Sequence, residues 1–254
     1  MMASGRGRLP GGVAGVAIPR VAVVTGANGG LGRAVVERLS RDGMKVAAVD
    51  VRSGATAEDW LGFQCDVSEP AAVDRLAGDV ERDLGPVSVV VNCAGVGSWF
   101  KLVADIDVEE WERVIGSNLT GPFLVARAFL PALVATKGAV VNVASVHGVA
   151  TAPGSGAYAA SKAGLFGLTK AIAVDYGEQG VRANCLVLGS VDTRMTWDYE
   201  EGALARGIEN LAIRPWQRAT PGPVADVVSF LVSDGARFIN GALIAVDGGL
   251  LSWL

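Results

Sequence analysis

The sequence predicts an α/β fold: a single doubly wound, seven-stranded parallel sheet with helices on both faces. Three observations predict it. Short β-branched runs alternate with longer Ala-, Leu- and Gly-rich stretches, the pattern of βαβ units. The chain has 254 residues, 50% hydrophobic and 19% charged, enough to bury a large core. No internal repeat or low-complexity linker marks a second domain, so residues 20–254 read as one domain.

In chain order, residues 1–19 read as a flexible tail, with Arg6 and Arg8 ahead of a Gly/Pro-broken apolar stretch that lacks a small-residue cleavage site. The expected strands are Val21–Val24, Val46–Val49, Gly62–Cys65, Val87–Val91, Ala139–Val143, Arg182–Leu188 and Leu243–Val246. Helices are expected at Leu31–Asp42, Glu69–Leu84, Val108–Thr136, Ala157–Tyr176 and Val224–Ser233. Ser68-Glu69-Pro70 is a helix start, with serine as cap and proline in the first turn. Between Asp50 and Asp66 there is little room for a crossover helix. The stretch at about 189–222, rich in Trp, Arg and Gly, is too long for an ordinary connection and is the expected substrate lid.

Composition excludes several classes. A balance of 22 basic and 26 acidic residues, net −4, leaves no basic cluster to neutralise a row of phosphates, so nucleic acid is not an expected partner. Cys65, Cys93 and Cys185 are odd in number, far apart and set in apolar runs, which fits buried thiols in a reducing compartment. One histidine rules out a Cys/His zinc cage, and no metal is expected. No segment reaches about 18 uninterrupted apolar residues, so no membrane span is expected and the location reads as cytoplasmic.

The first strand runs through Thr25-Gly26-Ala27-Asn28-Gly29-Gly30-Leu31-Gly32 into a helix. Glycines let the backbone turn tightly and approach a pyrophosphate, while the helix start offers free N–H groups. Asp50 ends the second strand at the spacing where a carboxylate accepts hydrogen bonds from adenosine ribose hydroxyls and repels a 2′-phosphate. The expected cofactor is therefore NAD in preference to NADP, although Arg52 stands nearby. Tyr158 and Lys162 share one helix face a turn apart, so the ammonium can favour the phenolate. Bringing a free tyrosine from about pKa 10 toward 7 takes roughly 4 kcal/mol, an order of energy that a neighbouring cation, helped by a cationic nicotinamide ring, can supply at low dielectric.

The glycine spacing T-G-x-x-x-G-x-G, with Asn92-Cys93-Ala94-Gly95, Ser145, Tyr158-Ala159-Ala160-Ser161-Lys162 and a terminal Val246-Asp247-Gly248-Gly249, resembles the short-chain dehydrogenase/reductase family over nearly the whole chain. The resemblance implies a Rossmann-type fold and hydride transfer between NAD(H) and a secondary alcohol or ketone. It implies that Tyr158 is the acid–base, that Ser145 holds the substrate oxygen, and that Lys162 also binds the nicotinamide ribose. Asn118, inside the long helix, resembles the asparagine that kinks it and anchors a relay water. Asp66 and Val67 resemble the adenine contacts, and Asn92, Ala94 and Gly95 the segment beside the cofactor. Where the family usually has Pro-Gly and then a threonine at the carboxamide, this chain has Leu188-Gly189-Ser190-Val191-Asp192-Thr193, which places Val191 and Thr193 there. A homotetramer is also implied.

Trp99 and Phe100 follow the fourth strand, and Met195, Trp197 and Tyr199 follow the sixth, at strand ends where open α/β sheets bind ligands. Trp99, Met195 and Trp197 are the candidate substrate contacts, and core packing of these aromatics is the equal alternative. Arg194, Arg206, Arg214 and Arg218 stand in the same stretch as possible anion contacts, and His147 reads as a rim or structural residue. The short Asp50-to-Asp66 connection and Ser190–Met195 are similar to the 2,3-dihydro-2,3-dihydroxybenzoate dehydrogenase branch, which implies a cyclic alcohol. The alternatives are a 3-oxoacyl-thioester reductase and a non-catalytic NAD-binding sensor or scaffold.

Overall fold

The structure is a computed structural model that describes residues 20–54, 56–57, 60–207 and 215–252. The expected tail at 1–19, and Arg214 in the expected lid, lie outside the described residues. The strands are β1 (Val21–Thr25), β2 (Lys45–Asp50), β3 (Trp60–Gln64), β4 (Val87–Asn92), β5 (Ala139–Ser145), β6 (Arg182–Leu188), β7 (Ser190–Val191), β8 (Arg218–Ala219) and β9 (Leu243–Val246). The helices are α1 (Gly30–Arg41), α2 (Pro70–Leu84), α3 (Val108–Ile115), α4 (Gly121–Thr136), α5 (Gly156–Tyr176), α6 (Arg194–Leu204) and α7 (Pro221–Val232). Seven strands form one parallel sheet in the order β3-β2-β1-β4-β5-β6-β9, and β7 pairs with β8 apart from it.

Period-two side chains split the core between two faces. Val21, Val23, Val87 and Val90 face one cluster with Phe129 and Leu133 of α4, while Ala22, Val24, Val89 and Val91 face another with Val36 and Leu39 of α1 and Val228 and Leu231 of α7. Each fully buried valine or leucine contributes roughly 1.5–3 kcal/mol. The strand order reverses between β1 and β4, so their carboxyl ends part and leave a crevice.

Four local readings change. Pro70 opens α2, but Glu69 stands at its cap position, and Ser68 turns its N–H and hydroxyl to Asp66 Oδ1 at 2.9 and 2.6 Å. The long helix is interrupted by a π-helical turn at Gly116–Thr120 that separates α3 from α4. The stretch Val108–Thr136 is nonetheless long and apolar enough, by length and composition, to cross a membrane. Its Leu124, Val125, Phe129 and Leu133 are instead core residues against the sheet. The expected lid holds α6 and the β7–β8 pair, while the described part of the β2–β3 connection is helix-free, as expected.

Burial inside the sheet favours pairing of its polar groups, although Asn92 Oδ1 has no partner among the described residues. Asn92 and Asn142 are register partners on β4 and β5. Asn92 Nδ2 donates to Asn142 Oδ1 at 2.8 Å, Asn142 Nδ2 to Thr169 Oγ1 at 2.9 Å, and Thr169 Oγ1 to the Leu165 carbonyl at 2.7 Å. Thr169→Val leaves the Asn142 amide without its acceptor and is expected to cost about 1–3 kcal/mol, read as a lower denaturant midpoint with an unchanged slope.

Candidate active site

A cleft of about 620 Å³ opens at the crevice, and Gly26, Gly29 to Gly32, Asp50, Asp66, Val67, Ala94, Gly95, Ser145, Tyr158, Lys162, Val191, Thr193 and Met195 all line it. Close backbone approach builds its floor. Gly26 has φ +67°, and a Cβ there would lie 2.8 Å from Ala94 Cα; a Cβ on Gly32 would run into the Gly26 carbonyl oxygen. Thr25 Oγ1 accepts the Ala94 N–H at 3.1 Å and ties the same two strand ends. Thr193 closes from the opposite side, its Cγ2 3.1 Å from where a Gly30 Cβ would sit.

At one end of the cleft Asp50 accepts the Asn28 N–H at 3.0 Å on Oδ2 and the Arg52 N–H at 3.1 Å on Oδ1. Asn28 therefore fixes the carboxylate instead of lining the cleft. Arg52 Nε is 3.7 Å from Asp50, with its side chain 76% exposed.

At the other end β5 delivers Ser145, and α5 delivers Tyr158 and Lys162 one turn apart. Burial pushes the Tyr158 phenol up to about 12, opposed by a hydrogen bond with the Ser145 side chain. Burial likewise pushes Lys162 down to about 8 from its ordinary 10.5. Its Nζ donates to the Val143 carbonyl at 2.9 Å and lies 5.6 Å from the Tyr158 ring centroid. The amine is therefore desolvated, close to the phenol ring, and held by a backbone carbonyl. Among the described residues no carboxylate pairs with Lys162.

Two predicted residues act from behind the cleft. Asn118, fully buried in the π turn, accepts the Val96 N–H at 2.8 Å and donates to the Val96 carbonyl at 2.9 Å and Ser161 Oγ at 3.1 Å. Its side chain holds the segment following Gly95 against α5, which gives the kink a structural reason. Asn92 is buried in the sheet network instead of facing the cleft.

The substrate candidates separate. Met195 lines the cleft. Trp197 does not: its side chain is half exposed and its Nε1 donates to Asp192 Oδ1 at 2.7 Å, because the helical turn of α6 points it outward. Trp99 packs directly on Tyr158, ring centroids 4.5 Å apart. His147 donates its N–H to Ser145 Oγ at 3.2 Å, and its ring meets Tyr158 edge-on at 5.8 Å; burial holds it below its ordinary pKa. Arg194 lines the cleft and sits 3.5 Å from Asp198, Arg206 lies over Phe100, and Arg218 pairs with Glu200. Sequence reasoning passed over Thr25, Ser161 and the Val143 carbonyl; only Thr25, next to the first glycine, carried a positional signal.

Residues 26–251 match the sequence profile of a family described as enoyl-(acyl carrier protein) reductase. The chain belongs to the short-chain dehydrogenase/reductase family. A (3R)-3-hydroxyacyl-CoA dehydrogenase of Canis lupus familiaris is 38% identical over 250 residues, covering 91% of this chain and 95% of its own. The 3-oxoacyl-(acyl-carrier-protein) reductase MabA of Mycobacterium tuberculosis is 38% identical over 234 residues, 92% of this chain and 93% of its own. A meso-2,3-butanediol dehydrogenase of Serratia marcescens is 36% identical over 241 residues, 91% and 94%. Among solved structures, the ligand-free aldohexose dehydrogenase of Thermoplasma acidophilum superposes with a TM-score of 0.82 at 32% identity, covering 92% of this chain and 94% of its own. A 3-ketoacyl-(acyl-carrier-protein) reductase from Brucella melitensis complexed with NADH gives 0.81 at 27%, covering 91% and 97%. This short-chain dehydrogenase/reductase is an oxidoreductase acting on CH–OH groups and their ketones.

Burial of Lys162 sets a sign for stability. The unfolded chain holds its proton to pH 10.5 and the folded chain only to about 8, so between these values the unfolded state binds more protons and this lysine makes stability rise with pH. Lys162→Met is expected to remove that rise, seen as the difference between wild-type and variant unfolding free energies across the window.

Proposed function

We propose that the chain is an NAD-dependent dehydrogenase of a secondary alcohol, or reductase of the ketone, with Tyr158 as the acid–base residue. The observation that carries this reading is the convergence of Ser145, Tyr158 and the buried Lys162 amine in one cleft with the Asp50 carboxylate and the glycine floor. The residues fit a dinucleotide: a loop that a Cβ would fill, a carboxylate already fixed by two backbone N–H groups, and an amine with no acid partner among the described residues.

When bound, the nicotinamide supplies the acceptor or donor of the hydride. In oxidation Tyr158 Oη takes the hydroxyl proton, and in reduction it returns one to the forming alkoxide. Ser145 Oγ holds the substrate oxygen beside that phenol. Lys162 Nζ would hold the nicotinamide ribose, and its charge would favour the phenolate. Asp66 and Val67 would hold the adenine, and Val191 and Thr193 the carboxamide, all four lining the cleft. Asn118 sets the position of Gly95 and Val96, and a water on its backbone completes the proton route.

Asp50 supports NAD over NADP, since a 2′-phosphate would meet a carboxylate whose two oxygens already face the turn; the NADH complex of the Brucella melitensis relative agrees. Apolar side chains left exposed on α3, α4 and α5, including Trp111, Phe123 and Val174, and Phe238 near the last strand, support a homotetramer. Free cysteines set among apolar neighbours support a reducing, cytoplasmic setting, with a small-molecule substrate and neither nucleic acid nor membrane as partner. A second reading, a 3-oxoacyl-thioester reductase, is favoured by the likeness to the Mycobacterium tuberculosis and Brucella melitensis reductases and to a 3-hydroxyacyl-CoA dehydrogenase.

Tyr158→Phe is expected to lower turnover by about 10²–10⁴-fold while NAD still binds, measured by reduced-nicotinamide absorbance and by calorimetry; retained turnover overturns the assignment. With Tyr158 lifted to about 12, oxidation is expected to quicken as pH rises and reduction to slow, because one needs the phenol to accept a proton and the other to give one. Asp50→Ala is expected to move the NADP-to-NAD preference toward NADP by about tenfold or more.

A further inference from the structure

Behind Tyr158 the chain spends three glycines on seating two aromatic side chains. A Cβ on Gly97 would run into the Trp99 indole, one on Gly154 would lie 2.7 Å from Phe100 Cα, and one on Gly202 of α6 would lie 2.7 Å from Phe100 Cε2. Phe100 itself takes the left-handed backbone, φ +69°, a strained conformation for a bulky residue. These concessions let Trp99 rest on Tyr158 at 4.5 Å and on Tyr199 of α6 at 4.9 Å, while Phe100 stacks on Tyr199 at 5.3 Å with ring planes 7° apart. The loop is pinned beneath them: Ser98 Oγ donates to Glu110 at 2.8 Å, and Lys101 pairs with Asp107 and Glu110.

The consequence is a short substrate chamber. Ser145 and Tyr158 line the cleft, whereas Trp99, Phe100 and Tyr199 do not: the indole lies against the phenol ring, and the Phe100–Tyr199 stack stands beside it. We infer that Trp99 is the specificity-determining residue, and that the substrate is a compact secondary alcohol or ketone whose apolar, ring-like flank packs on the indole. A long acyl thioester has nowhere to run its chain past this wall. The inference rests on the proposed dehydrogenase reading and selects within it.

The test measures kcat/KM with NAD on trans-1,2-cyclohexanediol and on the N-acetylcysteamine thioesters of 3-hydroxybutanoate and 3-hydroxyoctanoate. Wild type is expected to favour the ring diol over the octanoyl thioester by about tenfold or more. W99A is expected to reverse that order, and W99F, which keeps an aromatic face, to restore it. A wild type that prefers the octanoyl thioester, or a preference that W99A leaves unchanged, overturns the inference. Binding of cyclohexanone to the NADH complex of the Tyr158→Phe chain supplies a readout without turnover. There W99A is expected to weaken binding at least about fivefold, and equal affinity with and without the indole overturns the role of Trp99. A wild type inactive on every substrate that still shows Trp99-dependent ring binding counts against the dehydrogenase reading and leaves this one standing.

Discussion

The site depends on one steric constraint: two strand ends must approach backbone to backbone where the sheet changes direction. β1 and β4 are neighbours, yet their connections leave to opposite faces, and the loop after β1 crosses the gap against Ala94. Only a residue without a side chain closes that distance at φ +67°. The Thr25–Ala94 hydrogen bond locks the approach, and α1 then starts with its N–H groups toward the cleft. Asp50, Thr193 and the Gly95 segment are all placed relative to this floor.

A second constraint is the cost of burying ionisable groups. Tyr158 and Lys162 are desolvated together, and burial moves each toward its neutral form. Neither is ready for proton transfer in the bare chain. The amine rests on a backbone carbonyl close to the phenol ring, so neither group is compensated by an opposite charge.

Much of this was legible in the sequence because it followed from local pattern. Short apolar runs between helical stretches marked all seven sheet strands to within a few residues, even β3, which has no valine, and turn glycines before a helix marked the floor. Tyr158, Lys162 and Ser145 carried both spacing and family resemblance. What stayed hidden depends on partners distant in the chain. The π turn at Asn118 exists because its amide meets Val96, 22 residues away. Trp197 and Trp99 look alike as aromatics in loops, and only the phase of α6 turns one outward while the left-handed Phe100 and three glycines turn the other onto the tyrosine. Ser68 is a good helix cap by composition, but Asp66, two residues earlier, captured it first.

The contact between Gly189 and the chain's last strand has a kinetic meaning. A Cβ on Gly189 would lie 2.7 Å from Asp247 Cα, and Asp247 in turn receives the N–H groups of Gly249 and Leu251 at 2.9 and 2.8 Å. The turn that leads from β6 to Val191 and Thr193 therefore leans on residues synthesised almost sixty positions later. On the ribosome, the dinucleotide floor can assemble from the first half of the chain, whereas the wall opposite it has no backing until translation is nearly finished. Assembly of this cleft is a late, long-range event in folding, and a nascent chain exposes the inner face of β6 until β9 arrives.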